Sequence, residues 1–283
     1  MKTKKDSILS RFIKGIIIAL GFILPGVSGG VLAAILGIYE RLLSFMAHIR
    51  TNFKANLLYF LPVGIGGIVG IGLLSQPLDF LLEHYQVIVL WGFAGTILGT
   101  LPTLIRESTS RTKRDKIDLF WFFGMLIGGG LFLFFMNQIF GTIPANFLGF
   151  VIAGILIALG VLVPGLSPSN LLIILGLYSP MLQGFKDFDL MVFLPIALGG
   201  IISILTFSKA MESLIKYHHS RVYHFILGIV LASTILILVP NPHLADSISY
   251  RGITPIDMLL SIIFFILGCI LALWMSKLED QYK

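Results

Sequence analysis

Small polar residues and glycines interrupt two long apolar stretches of the chain, at positions suited to binding an anion. In the first stretch, the step Pro25-Gly26 is followed by Ser28, Gly29 and Gly30. Proline removes a backbone donor, glycine allows the chain to reverse, and serine caps the helix that follows. The first N–H groups of such a helix lack intrahelical partners and carry partial positive charge. This chemistry suits a phosphate or a carboxylate.

The same pattern recurs half a chain later. Pro25 aligns with Pro164 and Tyr39 with Tyr178, both at a spacing of 139 positions (164 minus 25). The second copy supplies donors from the following residues: Pro164, Gly165, Ser167, Ser169, Asn170. Broken helices at matching positions in two halves indicate the substrate site of a transporter. A plain helix kink, or close packing of small residues, is the alternative explanation.

The composition predicts an integral membrane protein. Of the 283 residues, 57% are hydrophobic and only 12% are charged, about half the charged share of a soluble protein. The net charge of +6 is then a topology signal and does not indicate nucleic-acid binding. The single cysteine, Cys269, excludes an intramolecular disulfide, and no metal site or cofactor is expected.

We expect an all-α protein made of two homologous halves, residues 1–139 and 140–283. FLPVGIGG at 60–67 and FLPIALGG at 193–200 extend the repeat. Each half is predicted to contain a broken-helix, re-entrant hairpin and three transmembrane helices. The hairpins are residues 8–46 and 146–183. The transmembrane helices are residues 56–74, 87–105 and 118–136, then 190–208, 222–240 and 257–275.

Basic residues predict the orientation. Threading the chain from the basic loop at 106–116 places all lysines and arginines except Lys186 and Arg251 on one side, the cytoplasm. Both termini are then cytoplasmic, and the halves are inverted copies related by an axis in the membrane plane. Residues 15–24 cover only about 15 Å as a helix, which favours a hairpin over a full span. In the second half, residues 146–163 are long enough to span, so a full span is the alternative there.

PGVSGGVLAAILGIYERLL and PGLSPSNLLIILGLYSPML together resemble the bacterial polyprenyl-phosphate transporter family. The resemblance implies a flippase that returns undecaprenyl phosphate from the outer to the inner leaflet of the bacterial cytoplasmic membrane, for peptidoglycan and other cell-wall precursors. The following residues match the family motif: Pro25, Gly26, Ser28, Gly29, Gly30, Gly37, Tyr39, Glu40, Arg41, Pro164, Gly165, Ser167, Gly176, Tyr178. The resemblance implies substrate contacts for all of them except the two glycines Gly37 and Gly176. The sequence departs from the family pattern at Pro168 and Ser179, where glycine and an acid are expected.

Other charged residues have two explanations each. Glu40 and Arg41 lie near the cytoplasmic interface, where Arg41 could receive phosphate or form an interfacial pair. Asp79, Glu83 and His84 could couple transport to protons, or belong to a solvated outer loop or interfacial helix. Two further carboxylates open matching helices and are expected to be helix N-caps: Asp118 and Asp257.

Enzymes and other transporters are the alternatives. Ser28 lies in a Gly-x-Ser-Gly step like that of intramembrane serine proteases, which need a histidine base on a neighbouring span. Only His224 starts a span, and the duplicated motif argues against a nucleophile. Lipid phosphatase signatures are incomplete, Ser220-Arg221 with His224 being a fragment. A transporter or channel for another anionic solute remains open. The sequence has no ATP-binding motif of the G-x-x-x-x-G-K-[ST] type.

Overall fold

The computed structural model describes residues 7–24, 32–33, 36–38, 41–42, 45, 52–111, 114–140, 143–162, 168–242 and 247–282. Over these residues the chain forms helices and short connections, without a strand. In chain order the helices are α1 (Ile8–Ile23), α2 (Phe53–Ser108), α3 (Lys116–Phe123), a π-helical stretch (Gly124–Gly129), α4 (Gly130–Phe140), α5 (Phe147–Leu162), α6 (Pro168–Ile174), α7 (Tyr178–Lys186), α8 (Leu190–Leu238) and α9 (Pro255–Tyr282).

Five helical stretches in the described part of the chain are long and apolar enough to cross a membrane. They are Phe53–Ser108, Lys116–Phe135, Leu190–Phe207, Lys216–Leu238 and Pro255–Lys277. Large apolar side chains such as Leu194, Leu205 and Phe120 point outward from them and are exposed. Such an exterior is suited to lipid and not to water. The expectation of an all-α, multi-pass membrane protein is confirmed.

The two longest helices each contain two of the predicted spans. Straight, the 56 residues of α2 would extend about 84 Å, nearly three times the hydrocarbon thickness. Helical geometry is interrupted at Tyr85 (φ −132°, ψ 36°) in α2 and at His218 (φ −131°, ψ 36°) in α8. The connections at 75–86 and 209–221 are therefore helical rather than loops. Their leucine, glutamate, lysine and alanine residues are strong helix formers.

Helices α1 and α5 are shorter than a full span. Each has 16 residues, which is about 24 Å of helix against about 30 Å of hydrocarbon. α1 is continuous from Ile8, so its polar start belongs to the same helix as the apolar part. Ser7 caps it, its hydroxyl accepting a hydrogen bond from the backbone N–H of Ser10 at 3.1 Å.

Two left-handed glycines occupy equivalent places in the two motifs. Gly37 has φ +70° and Gly176 has φ +71°, a conformation that costs glycine little. Just beyond them, the backbone N–H of Ile38 donates to Ala33 at 3.0 Å and that of Leu177 to Leu172 at 2.9 Å. A hydrogen bond from the N–H of a residue to the carbonyl five positions earlier is typical of the Schellman motif at a helix C-terminus. Gly176 therefore separates α6 from α7 within the region predicted as the second hairpin.

Glycines also allow close helix packing at matching positions. A Cβ added at Gly66 would overlap the carbonyl oxygen of Phe12, and one at Gly199 would overlap that of Val151. The first contact packs α1 on α2, and the second packs α5 on α8. Small residues let backbones approach in membranes, where helix association depends on packing.

The last helix of each predicted half packs on a helix of the other predicted half. α9 lies along the part of α2 that follows Tyr85, where Trp91 meets Phe265 edge to face at 5.9 Å. α3 and the π-helical stretch lie along the part of α8 that follows His218, where Trp121 is 6.2 Å from Phe225. Residues before and after position 140 therefore pack together in both of these contacts.

Asp118 and Asp257 are not N-caps, so that expectation is wrong by three residues. Asp115 caps α3, and its backbone N–H donates to Asp118 Oδ2 at 2.9 Å. The backbone N–H of Thr254 donates to Asp257 Oδ2 at 3.1 Å, while the backbone N–H of Asp257 donates to Thr254 Oγ1 at 3.2 Å. In such a capping box the third helical residue reaches back to the cap.

Candidate functional site

The structure describes four of the residues predicted to bind substrate. Arg41, Ser169 and Tyr178 are described with their side chains, and Asn170 by its backbone. The other predicted residues lie outside the described part of the chain: Pro25, Gly26, Ser28, Gly29, Gly30, Tyr39, Glu40, Pro164, Gly165, Ser167.

Helix α1 ends where the sequence predicts the first break. Its last residue is Ile23, and Leu24 is extended (φ −82°, ψ 119°) with its N–H bonded to the carbonyl of Leu20 at 2.8 Å. A residue before proline is driven out of the helical region by the proline ring, and Leu24 precedes Pro25. The last carbonyls of α1 consequently need partners from elsewhere.

Tyr178 supplies one of those partners from the second motif. Its hydroxyl donates a hydrogen bond to the carbonyl oxygen of Ile23. The tyrosine is 2% exposed and is the first residue of α7. This contact joins the second motif to the helix end that leads into the first break. Residues 155 positions apart thus meet inside the protein.

The second motif lies in the core. α6 begins at Pro168, a position where the missing proline N–H costs nothing. Ser169 beside it is 1% exposed. Leu177, Met181 and Leu182 on the following turns are fully buried. The tight packing around Tyr178 gives the tyrosine a fixed direction toward α1.

Arg41 and Arg11 both lie over the ring of Tyr59. The guanidinium carbon of Arg41 lies 3.7 Å from the ring centre of Tyr59, and that of Arg11 lies 4.9 Å from the same centre. Arg41 Nε also donates to Asn56 Oδ1 at 3.2 Å. The structure therefore brings α1, Arg41 and the start of α2 together. Sequence reasoning included Arg41 but missed Arg11 and Tyr59.

Pro62 explains how Arg11 is held. In α2 the carbonyl of Leu58 would accept a bond from the residue four positions later, but Pro62 has no N–H. Arg11 Nη1 lies 3.4 Å from that carbonyl and 3.3 Å from the carbonyl of Tyr59. The available sequence signal was Pro62, which leaves the carbonyl of Leu58 without its helical donor.

These side chains border a groove of about 1000 Å³. Its walls are mostly apolar and come from α1 and α2, with Ile8, Leu9, Leu58, Leu61 and Ile65 exposed along it. Arg11 and Arg41 provide its charge. The groove therefore combines a long apolar surface with two cationic donors.

A buried polar cluster connects α3 to α8. Ser220 Oγ donates to Asp118 Oδ2 at 2.6 Å and lies 3.4 Å from His224 Nδ1, which is 2.7 Å from the carbonyl oxygen of Ser220. In a catalytic triad the histidine lies between the serine and the carboxylate. Here the serine lies between the other two, so its proton is directed to Asp118 rather than to a base that activates it.

Two further polar contacts join the halves. Lys186 Nζ lies 3.2 Å from Asp79 Oδ2, which places Asp79 in a partly buried ion pair rather than a solvated loop. His219 Nε2 lies 3.7 Å from Glu107 Oε1, with the histidine side chain 5% exposed. His219 follows the interruption at His218, inside helix α8.

Comparison with known proteins identifies the family. A family model described as undecaprenyl phosphate translocase-like matches residues 23–254. A polyprenyl-phosphate transporter of Vibrio cholerae is 27% identical over 82% of this chain and 78% of its own length. A polyprenyl-phosphate transporter of Staphylococcus aureus is 24% identical over 96% of this chain and 97% of its own length. No solved structure matches. The chain belongs to the undecaprenyl phosphate translocase-like family.

Proposed function

We propose that the protein is a transporter, not an enzyme, and that it flips undecaprenyl phosphate from the outer to the inner leaflet of the bacterial cytoplasmic membrane. The observation that carries this proposal is the bond from Tyr178 to the carbonyl of Ile23. It holds the second motif against the helix that leads into the first, as one composite headgroup site requires. The two relatives named polyprenyl-phosphate transporters support the substrate class.

We further propose that the halves are inverted copies, 1–139 and 140–283, each starting with a re-entrant hairpin. Support comes from three pairs of equivalent features: the left-handed glycines Gly37 and Gly176, the kinks at Tyr85 and His218, and the overlapping contacts of Gly66 and Gly199. α1 and α5, each too short to span, suit helices that enter the membrane and return.

The contacts agree with cytoplasmic termini. Every pair below joins positions that charge threading assigns to one side. Arg11 with Tyr59, Glu107 with His219, and Asp118 with Ser220 fall on the cytoplasmic side. Asp79 with Lys186, and Trp91 with Tyr250, fall on the outer side. Reversing the chain would keep each pair together but would move nearly all basic residues outside.

In the proposed cycle the lipid enters sideways from the outer leaflet, its chain remaining in the bilayer. Donors from Ser28–Gly30 and from Ser167, Ser169 and Asn170 bind the phosphate between the two hairpin tips, with Tyr178 fixing their separation. Rocking of the elements around this site exposes the phosphate to the cytoplasmic side. The protein's contribution is a polar path for a headgroup that hydrocarbon excludes.

The test is a reconstituted flipping assay with fluorescent polyprenyl phosphate. Vesicles containing the protein should lose outer-leaflet label faster than empty vesicles, and the double variant Ser28→Ala/Ser167→Ala should be slower while inserting normally. Equal rates in protein-containing and empty vesicles would refute the proposed function. Full activity of the double variant would reduce the serines to helix caps.

A further inference from the structure

The groove between α1 and α2 contains a second charged site, separate from the hairpin tips. We propose that it binds the phosphate of a polyprenyl phosphate at the cytoplasmic leaflet, with Arg11 and Arg41 as phosphate ligands and Tyr59 as their positioning residue. This site rests on the proposed function, and it adds a receiving position after the headgroup has crossed.

Tyr59 holds the two arginines near each other. Both guanidinium carbons lie within 4.9 Å of its ring centre, so they are no farther apart than the sum of their two distances. Stacking uses the flat face of a guanidinium and leaves its edge N–H groups to form hydrogen bonds. Arg11 Nη1 already faces the carbonyls of Leu58 and Tyr59, and Arg41 Nε donates to Asn56, whereas the buried Arg11 Nε has no hydrogen-bond partner among the described residues. The remaining N–H groups of the two side chains are the ones assigned to the phosphate.

The groove matches the other part of such a lipid. Its volume is about 1000 Å³, and most of its lining is apolar. Leu61 and Ile65 follow Tyr59 along α2, and both are exposed. A prenyl chain can lie on this surface while the phosphate stays at the arginine end.

Charge favours a monoester over ordinary phospholipid. Two arginines carry two positive charges, because guanidinium stays protonated in proteins. A phosphate monoester carries about −1.5 to −2 at neutral pH, whereas the phosphodiester of a phospholipid carries a single negative charge. The charge of the site is therefore balanced by a polyprenyl phosphate and only half balanced by a phospholipid such as phosphatidylglycerol.

The second half has no counterpart of this site. By the spacing of the repeats, the positions of Arg11, Tyr59 and Arg41 correspond to Phe150, Val192 and Pro180. Phe150 and Val192 are 6% and 5% exposed and belong to the core. The arginine pair is thus a one-sided feature of an otherwise repeated fold, on the side that the basic residues assign to the cytoplasm.

Binding to the full-length protein in nanodiscs of zwitterionic lipid tests the site. The probe is a fluorescent short-chain polyprenyl phosphate, with polyprenol, inorganic phosphate and phosphatidylglycerol as competitors. Arg11→Gln and Arg41→Gln should each weaken binding about tenfold or more, since each removes a charged hydrogen bond. Tyr59→Leu should weaken it, and Tyr59→Phe should retain it. Lys54→Gln, a nearby basic residue outside the groove, is the matched control.

A photoreactive residue in place of Leu61 reports the location directly. It should crosslink to polyprenyl phosphate, and the Arg11→Gln change should abolish the crosslink in protein that still elutes as a folded species. Wild-type affinity in both arginine variants would overturn the site, and so would competition by phosphatidylglycerol or inorganic phosphate as strong as that by polyprenyl phosphate. If instead the wild-type protein binds the probe in the groove but does not flip it, the proposed function fails and the site stands.

Discussion

Tyr178→Phe removes one hydroxyl from the contact between the two motifs. The phenylalanine ring fills the same space, so packing around Leu177 and Met181 is kept. The carbonyl of Ile23 loses the donor that the tyrosine supplied. We expect both a loss of stability and a slower headgroup transfer, because the hydroxyl ties the second motif to the end of α1.

The size of the stability loss follows from burial. An unpaired buried acceptor costs about 1–3 kcal/mol, and Tyr178 is 2% exposed. In membrane proteins the measured worth of such bonds is smaller, about 0.6 kcal/mol on average and at most about 1.7, because the unfolded chain finds partners in lipid. We therefore expect the free energy of unfolding to fall by about 1 kcal/mol.

Reversible unfolding in mixed micelles measures that loss, and the reconstituted flipping assay measures the transfer rate. Tyr217→Phe is the matched control, since Tyr217 is 69% exposed and removing its hydroxyl should change neither quantity. If Tyr178→Phe unfolds and transports like the wild type, the bond to Ile23 has no role in joining the motifs, and the argument for a composite site loses its main support.

Two further changes test the packing of the halves. Gly66→Ala places a methyl group on the carbonyl of Phe12 and should lower the free energy of unfolding by about 1–3 kcal/mol, whereas Gly64→Ala, with open space around it, should not. Equal effects of the two would refute the close packing of α1 on α2. Asp79→Asn should cost about 0.2–1 kcal/mol by the same unfolding measurement, because its partner Lys186 is 39% exposed. The double variant Asp79→Lys/Lys186→Asp should recover most of the lost free energy of unfolding. A double variant less stable than Asp79→Asn would argue against the ion pair.

Patterns within a short stretch of sequence predicted the fold well. Apolar runs predicted the helical stretches of the described residues that are long and apolar enough to span a membrane, and Pro25 predicted the end of α1, because both effects act over a few residues. Burial of charged residues such as Asp79 and His219 could not be predicted, for the opposite reason. Charged residues indicate exposure in isolation, but a partner such as Lys186 or Glu107 on another helix allows them to be buried.

Contacts between distant segments could not be predicted in this way. Arg41 was recognised from its place in the motif, whereas Arg11 became part of the same site only through the stacking of both on Tyr59. Nothing in the sequence around residue 11 distinguishes it from an ordinary basic residue at a membrane surface. The spacing of the repeats likewise predicts two similar halves, but not that each last helix packs on the other half.

The packing of α3 on α8 and of α9 on α2 constrains the order in which the protein folds during synthesis. The partner of α3 is the part of α8 that follows His218, which the ribosome synthesises about a hundred residues later. Until that part of α8 is made, the face of α3 that will pack on it, around Trp121, must be covered by lipid or by the insertion machinery. α9 in turn packs on a surface of α2 that is synthesised long before α9 and has no contact with it until then. The order of assembly therefore differs from that of two domains folding one after the other, because the packing of α9 on α2 forms only when α9 enters the bilayer.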